Sequence, residues 1–180
     1  MRKLNTYISL ALCVVFLVHL VMGSFMVLGI GHNGGKYLAL AGLILLAIHI
    51  ACSVISTGRT CRRSGFRHLL LDSRQNALFW LRRCTGLLIL LFLLGHIGLF
   101  GTVLDGQYVL FEFTWQKLVL QLLFMTALSI HILTNIRPLF VSLGWYHIAP
   151  RSQDVYIIVG VLYLFSVLAM AIYYVGWQVL

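Results

Sequence analysis

Acidic side chains are nearly missing from this sequence: Asp and Glu together number four among 180 residues. All charged types reach only 9% of the chain, where a soluble domain carries about 25%. That shortfall excludes an ordinary water-soluble domain. Lipid leaves open sheet edges unsatisfied, so the bulk of the chain is expected to be helical. Paired cysteines are lacking as well. Cys13, Cys52, Cys61 and Cys84 form no C-x-x-C pair and no C-x-x-C-H haem-attachment motif. The first two and Cys84 fall in apolar runs and read as small buried hydrophobes, whereas Cys61, among arginines, reads as a reduced cytoplasmic thiol. No clear A-x-A cleavage site follows the basic start. The run Tyr7–Ile30 outlasts a signal-peptide core of about 7–15 residues, so a retained helix is expected.

What the chain has is apolar length: 61% of its residues are hydrophobic. Five segments stand out, about Tyr7–Ile30, Tyr37–Ser56, Ala77–Val103, Thr114–Ile136 and Val155–Val179. Each approaches or exceeds the roughly 20 residues that cross a bilayer. The expected architecture is one all-α integral membrane domain over residues 1–180, with five transmembrane helices. The short, Gly-rich Gly31–Lys36 makes the first two helices antiparallel neighbours. Thr57–Gln75 reads as an arginine-rich loop and Leu104–Phe113 as a mildly acidic one. Arg137-Pro138 is expected to end the fourth helix, and Ser152 to Asp154 to cap the fifth.

A net charge of +9 would suit a nucleic-acid partner, but its placement argues against one. The basic residues sit in short connections between apolar runs, which is a topology signal. With the N-terminus inside, the cytoplasmic face holds Arg2, Lys3, Arg59, Arg62, Arg63, Arg67, Arg74, Arg82, Arg83, Arg137 and Arg151. The other face holds Lys36 and Lys117 alone. The N-terminus is therefore expected in the cytoplasm and the C-terminus outside.

Histidines supply the chemistry. His19, His49, His96 and His131 fall one on each of the first four segments. A histidine deep in an apolar run is costly without a partner, which makes it a functional-site candidate. Rise per residue places His19 and His96 in the outer half and His49 and His131 in the inner half. The first four helices are expected to form a haem-binding four-helix bundle, in which two imidazoles facing each other suit a six-coordinate haem iron. Gly95, Gly98, Ser129 and Ala47 beside them are expected to leave room for a flat macrocycle. Two stacked haems b would carry electrons across the membrane. His32, His68 and His147 lie in connections and read as solvated.

The stretch Phe79-Trp80-Leu81-Arg82-Arg83-Cys84-Thr85-Gly86, with His96 after nine further residues, resembles the third helix of the di-haem membrane anchor of succinate dehydrogenase and quinol:fumarate reductase. Trp115, His131, Arg137 and Gly144-Trp145 resemble its fourth. The resemblance covers nearly the whole chain. It implies that His19 and His96 hold a distal haem and His49 and His131 a proximal one. It implies a cytoplasmic iron–sulfur subunit docked with a flavoprotein that interconverts succinate and fumarate, a membrane quinone (menaquinone or ubiquinone) as substrate, and location in the cell's inner membrane. A dimer of such heterotrimers is compatible with it. Asn5, Thr6, Trp80, Arg82 and Arg137 are then placed to meet the propionates of the inner haem. Family members coupled to proton transfer carry a glutamate two residues before the fourth ligand, where Ser129 stands here. The short connection 31–36 also lacks the carboxylate that others use at a quinol site, which leaves Glu112, Asp105, His32 and Lys117 as candidates. The same anchor could serve a hydrogenase, a formate dehydrogenase or another flavoprotein. A metal or proton transporter would need a continuous polar stripe, and Gln121, Thr126 and Ser129 are too sparse for one.

Overall fold

The computed structural model describes residues 2–30, 35–64, 76–104, 107–145 and 152–179. Its elements are α1 (Arg2–Val27), α2 (Gly35–Ser64), α3 (Ala77–His96), a hairpin of β1 (Gly101–Leu104) and β2 (Gln107–Leu110), α4 (Trp115–Leu143) and α5 (Ser152–Val179). All five helices are long and apolar enough to cross a membrane. Little of that apolar surface is covered by the protein itself: no residue in the most apolar stretch of α2 is buried, and Leu87, Leu94 and Leu164 are largely exposed. Helices this apolar and this uncovered belong in lipid, so the chain is a multi-pass helical membrane protein.

The helices do not form a closed bundle. α1 pairs with α2, and α3 with α4; α5 packs on α1 and α4, and α1 also touches α4. Among the described residues α2 makes no approach to α3, so the two hairpins stand open like a book whose spine is α1, α4 and α5. Hydroxyls pin the spine. Ser24 donates to Ser166 across α1 and α5 at 3.1 Å, Thr126 and Tyr163 meet across α4 and α5 at 2.9 Å, and Thr6 donates to Ser142 across α1 and α4 at 3.2 Å. Such interhelical bonds average about 0.6 kcal/mol each in a membrane protein. At the hairpin end, Leu99, Phe113, Met125 and Met170 form the largest buried cluster.

Four boundaries differ from the sequence reading, each for a local reason. α2 does not stop at Ser56 but carries the arginine-rich stretch on as helix to Ser64. Within the added turns, Thr57 and Thr60 donate their hydroxyls back to Ser53 O and Ser56 O. Thirty residues span about 45 Å, more than the roughly 30 Å hydrocarbon core, so the end bearing Arg59, Arg62 and Arg63 is long enough to project. α3 stops at His96 rather than Val103, because the chain turns at Gly98 (φ 74°) into β1. The acidic connection contains an antiparallel hairpin with Gly101 opposite Leu110 and Leu104 opposite Gln107. α4 passes through Pro138, expected to end it, and runs to Leu143 with Gly144 (φ 82°) as its left-handed cap. Proline removes the N–H that would bond the carbonyl four residues back, Thr134 O. Arg82 Nε donates to that carbonyl at 3.0 Å instead, so the helix continues without an orphan acceptor. Cys13, Cys52, Cys61 and Cys84 are all free, and Cys84 is exposed on the apolar surface rather than buried.

Candidate functional site

The open book holds a cleft of about 2440 Å³, lined by all four membrane histidines. A pocket for one drug-sized ligand is about 300–1,000 Å³, so this space admits more than one large flat group. Its walls are mostly aliphatic and aromatic, including Leu46, Leu90, Ile89, Phe124 and Leu128.

The histidines sit at two levels. Toward the hairpin end, the His19 and His96 ring centres are 6.3 Å apart with the planes at 81°. Two imidazoles bound trans to one metal through bonds of about 2 Å put their ring centres about 6 Å apart, so this spacing fits a metal between them. Toward the N-terminal end, His49 and His131 lie within electrostatic reach of each other, with Arg82 and Arg83 beside them. The levels are about 15 Å apart, the rise over the ten residues from Ser9, beside His49, to His19.

Hydrogen bonds fix which ring nitrogen is free. Gln121 Oε1 is 2.8 Å from His96 Nδ1. Thr85 Oγ1 is 3.0 Å from His131 Nδ1, and Ser9 Oγ is 3.1 Å from His49 Nδ1. Both hydroxyls already donate to their own helix, Thr85 to Leu81 O and Ser9 to Asn5 O, each at 2.7 Å. A hydroxyl has one proton, so toward the imidazole each can only accept. His131 and His49 must therefore carry their protons on Nδ1, as His96 does toward the amide oxygen of Gln121. The neutral ring then keeps its lone pair on Nε2, the atom that binds a metal, and the Nδ1–H bond orients the ring and raises its basicity. Around His49, Ser53 Oγ stands 3.5 Å from Nε2, long for a hydrogen bond. His96 is further held by stacking on Phe124 at 5.0 Å and 22°.

A pattern missed in the sequence emerges here. Three helices each carry a ligand candidate at one level and a polar holder for another helix's histidine at the other: Ser9 and His19 on α1, Thr85 and His96 on α3, Gln121 and His131 on α4. The spacing is ten or eleven residues, about three turns. Gln121 had read as one of a few scattered polar residues; its distance from His131 was the available signal.

Among the described residues no three His, Cys, Asp or Glu side chains gather as a metal site. A bare tetrahedral ion would be short of ligands here, whereas a haem brings four nitrogens of its own and needs two axial ones. A buried polar atom left without a partner fits the group as well. Arg83 Nε is buried, unpaired and in a cleft-lining residue toward the N-terminal end, where a carboxylate would find a cationic donor; Asn5 Oδ1, also buried and unpaired, is an acceptor and would need a donor instead. Arg83 also lies over the Phe79 ring at 5.1 Å. Arg82, expected from the sequence, lines the cleft with its Nε engaged by Thr134 O, and Arg83 beside it has an unpaired Nε.

The other candidates separate. Asn5, Thr6 and Arg82 line the cleft, whereas Trp80 and Arg137 do not. Arg137 is exposed, and Trp80 packs edge-on against Phe79. Glu112 is exposed outside the cleft, and Lys117 donates to the Glu112 carbonyl and lies over Phe111. His32 and Asp105 lie outside the described residues, as do His68 and His147. The small residues expected to make room also act otherwise. A Cβ on Gly95 would come within 2.5 Å of Leu120, so this glycine serves α3–α4 packing. Gly98 makes the turn, Ala47 is exposed, and Ser129 faces a separate void of about 20 Å³. Gly86 lies against the His131 ring, and Gly23 and Gly42 line the cleft. The chain matches no family model, no curated protein and no solved structure.

Proposed function

We propose that this chain is a di-haem cytochrome b, the membrane anchor of a succinate:quinone oxidoreductase-type complex. One observation carries the reading: intramembrane histidines at two levels of one apolar cleft, three of them engaged at Nδ1 by a polar side chain. His19 and His96 would hold one haem b, and His49 and His131 the other. When bound, each haem exchanges one electron by cycling between ferrous and ferric iron. The chain's residues set the conditions for that exchange. Gln121, Thr85 and Ser9 orient the rings and make them stronger donors. Leu, Ile and Phe side chains keep water from the ligands. Arg83 would receive a carboxylate through its unpaired Nε–H.

The soluble partners in this proposal sit at the basic end. The last turns of α2 present Arg59, Arg62 and Arg63, a surface complementary to an acidic iron–sulfur subunit that receives electrons from a flavoprotein. By the positive-inside rule that end is cytoplasmic. Quinone would exchange electrons at the opposite end. Ser129 faces a void with room for about one water, so no glutamate-type proton path through α4 belongs to this reading.

The test uses membranes containing the assembled complex. Addition of succinate should reduce b-type absorbance, and fumarate should reoxidise it. Reduction by hydrogen or formate, with none by succinate, would assign the anchor to a different soluble partner. A visible spectrum lacking b-type bands would remove the haem reading altogether.

A further inference from the structure

Among the described residues, three buried side-chain polar atoms lack a hydrogen-bond partner: Asn5 Oδ1, Arg83 Nε and the Tyr173 hydroxyl. The first two belong to the N-terminal end, and the second to the reading above. Tyr173 is different. It stands on α5, which contributes no histidine, and lines the same cleft at the hairpin end. Neighbouring polar groups there are already engaged, Gln121 with His96 and Ser24 with Ser166. The phenol is therefore a lone donor in an otherwise apolar wall, and a buried hydroxyl is normally matched by an acceptor.

Its surroundings define the shape of what would supply one. Tyr173 packs against Phe113 at 5.0 Å, Phe100 at 6.0 Å and Trp177 at 6.2 Å. Phe100 and Phe113 stack in parallel at 5.6 Å and 8°, and Phe100 meets the His96 ring at 6.1 Å. Phe100 and Tyr173 face the cleft while Phe113 is fully buried behind them, and an aromatic wall favours a flat aromatic ligand. A single hydroxyl donor favours one carrying a carbonyl oxygen. The position, one ring away from a ligand candidate of the hairpin-end level, favours one that exchanges electrons there.

We infer that Tyr173 is the hydrogen-bond donor to a quinone carbonyl oxygen, at the stretch of cleft wall it shares with Phe100, with Phe113 and Trp177 packed behind it. This rests on the cytochrome reading for the electron exchange. It also moves the quinone contact from the exposed Glu112 and Lys117 to a buried phenol on the one helix without a histidine. A haem carboxylate is the competing acceptor, and the two are separable.

The experiment uses the purified haem-loaded chain in detergent and two probes, a short-chain naphthoquinone and a short-chain benzoquinone, with binding read by quenching of Trp177 fluorescence. A Trp177→Phe control identifies that signal. Tyr173→Phe removes the hydroxyl and keeps the ring. The expected result is about tenfold weaker binding of at least one probe, with haem content and both midpoint potentials unchanged. Phe100→Leu should weaken binding while sparing the hydroxyl. Unchanged binding of both probes in Tyr173→Phe would overturn the inference. So would a shifted potential or lost haem with binding intact, which would give the phenol to a haem carboxylate. The haem spectrum of the same samples reports separately on the cytochrome reading.

Discussion

The two levels of the cleft hold their histidines by different means. At the hairpin end the holder is an amide, Gln121, helped by aromatic faces: Phe124 stacked on His96 and Phe100 at its edge. At the N-terminal end the holders are hydroxyls, Ser9 and Thr85, whose own protons are tied to the helix backbone. The first level is walled by rings and carries one lone donor, Tyr173; the second is rimmed by Arg82, Arg83 and Asn5. A guanidinium donor suits a carboxylate, whereas aromatic walls accommodate a neutral flat molecule. One cleft thus has a cationic end and an aromatic, apolar end.

That comparison breaks most readily at the holders. Gln121→Leu should weaken haem retention at the hairpin-end level alone, and Thr85→Val at the N-terminal level alone, each by about 10–100-fold. Haem titration of the two variants, resolved by the spectral signature of each site, checks this. Thr85→Ser keeps the hydroxyl and should restore retention. Loss at both sites from either change would show that the levels are not independent.

A smaller effect is expected where Pro138 and Arg82 meet. Arg82→Met leaves the Thr134 carbonyl without its donor and should cost about 1–3 kcal/mol. In a Pro138→Ala background the backbone N–H returns to that carbonyl, so the same change should cost less, a positive coupling in the double-mutant cycle. Thermal unfolding of the four proteins in detergent measures it. Equal costs in both backgrounds would mean that Arg82 stabilises by another route.

Much of the fold was legible because apolar length is a coarse, additive signal. Five runs became five helices, and one histidine per run survived as a cleft-lining residue. What was not legible depends on partners distant in sequence. Pro138 stops a helix on its own, and only Arg82, 56 positions earlier, explains why α4 continues. Leu104–Phe113 read as an acidic loop, yet Asp105-Gly106 between two short apolar stretches is the strongest short-range hairpin dipeptide. Gly95 and Ala47 looked like room for a macrocycle, but whether a small residue opens space or closes two helices depends on what faces it, Leu120 in the case of Gly95. Arg83 and Arg82 are adjacent and identical in type; only the tertiary hydrogen bond tells the engaged Nε of Arg82 from the unpaired Nε of Arg83.

Two further effects are smaller. Among the described residues α2 packs on α1 alone, so emptying the cleft should loosen α2 more than α4. With Cys52 as the sole thiol, maleimide labelling should rise severalfold on haem removal. Ser24→Ala, which breaks one of the bonds pinning α5, should cost only about 0.6 kcal/mol and leave haem content unchanged.

The most direct test of the central claim is haem quantitation by pyridine haemochrome on the purified chain and its four single His→Ala variants. The account predicts two haems b per chain. His19→Ala and His96→Ala should lose the same one, and His49→Ala and His131→Ala the other. A folded, colourless protein, or variants whose losses pair in any other way, would contradict it.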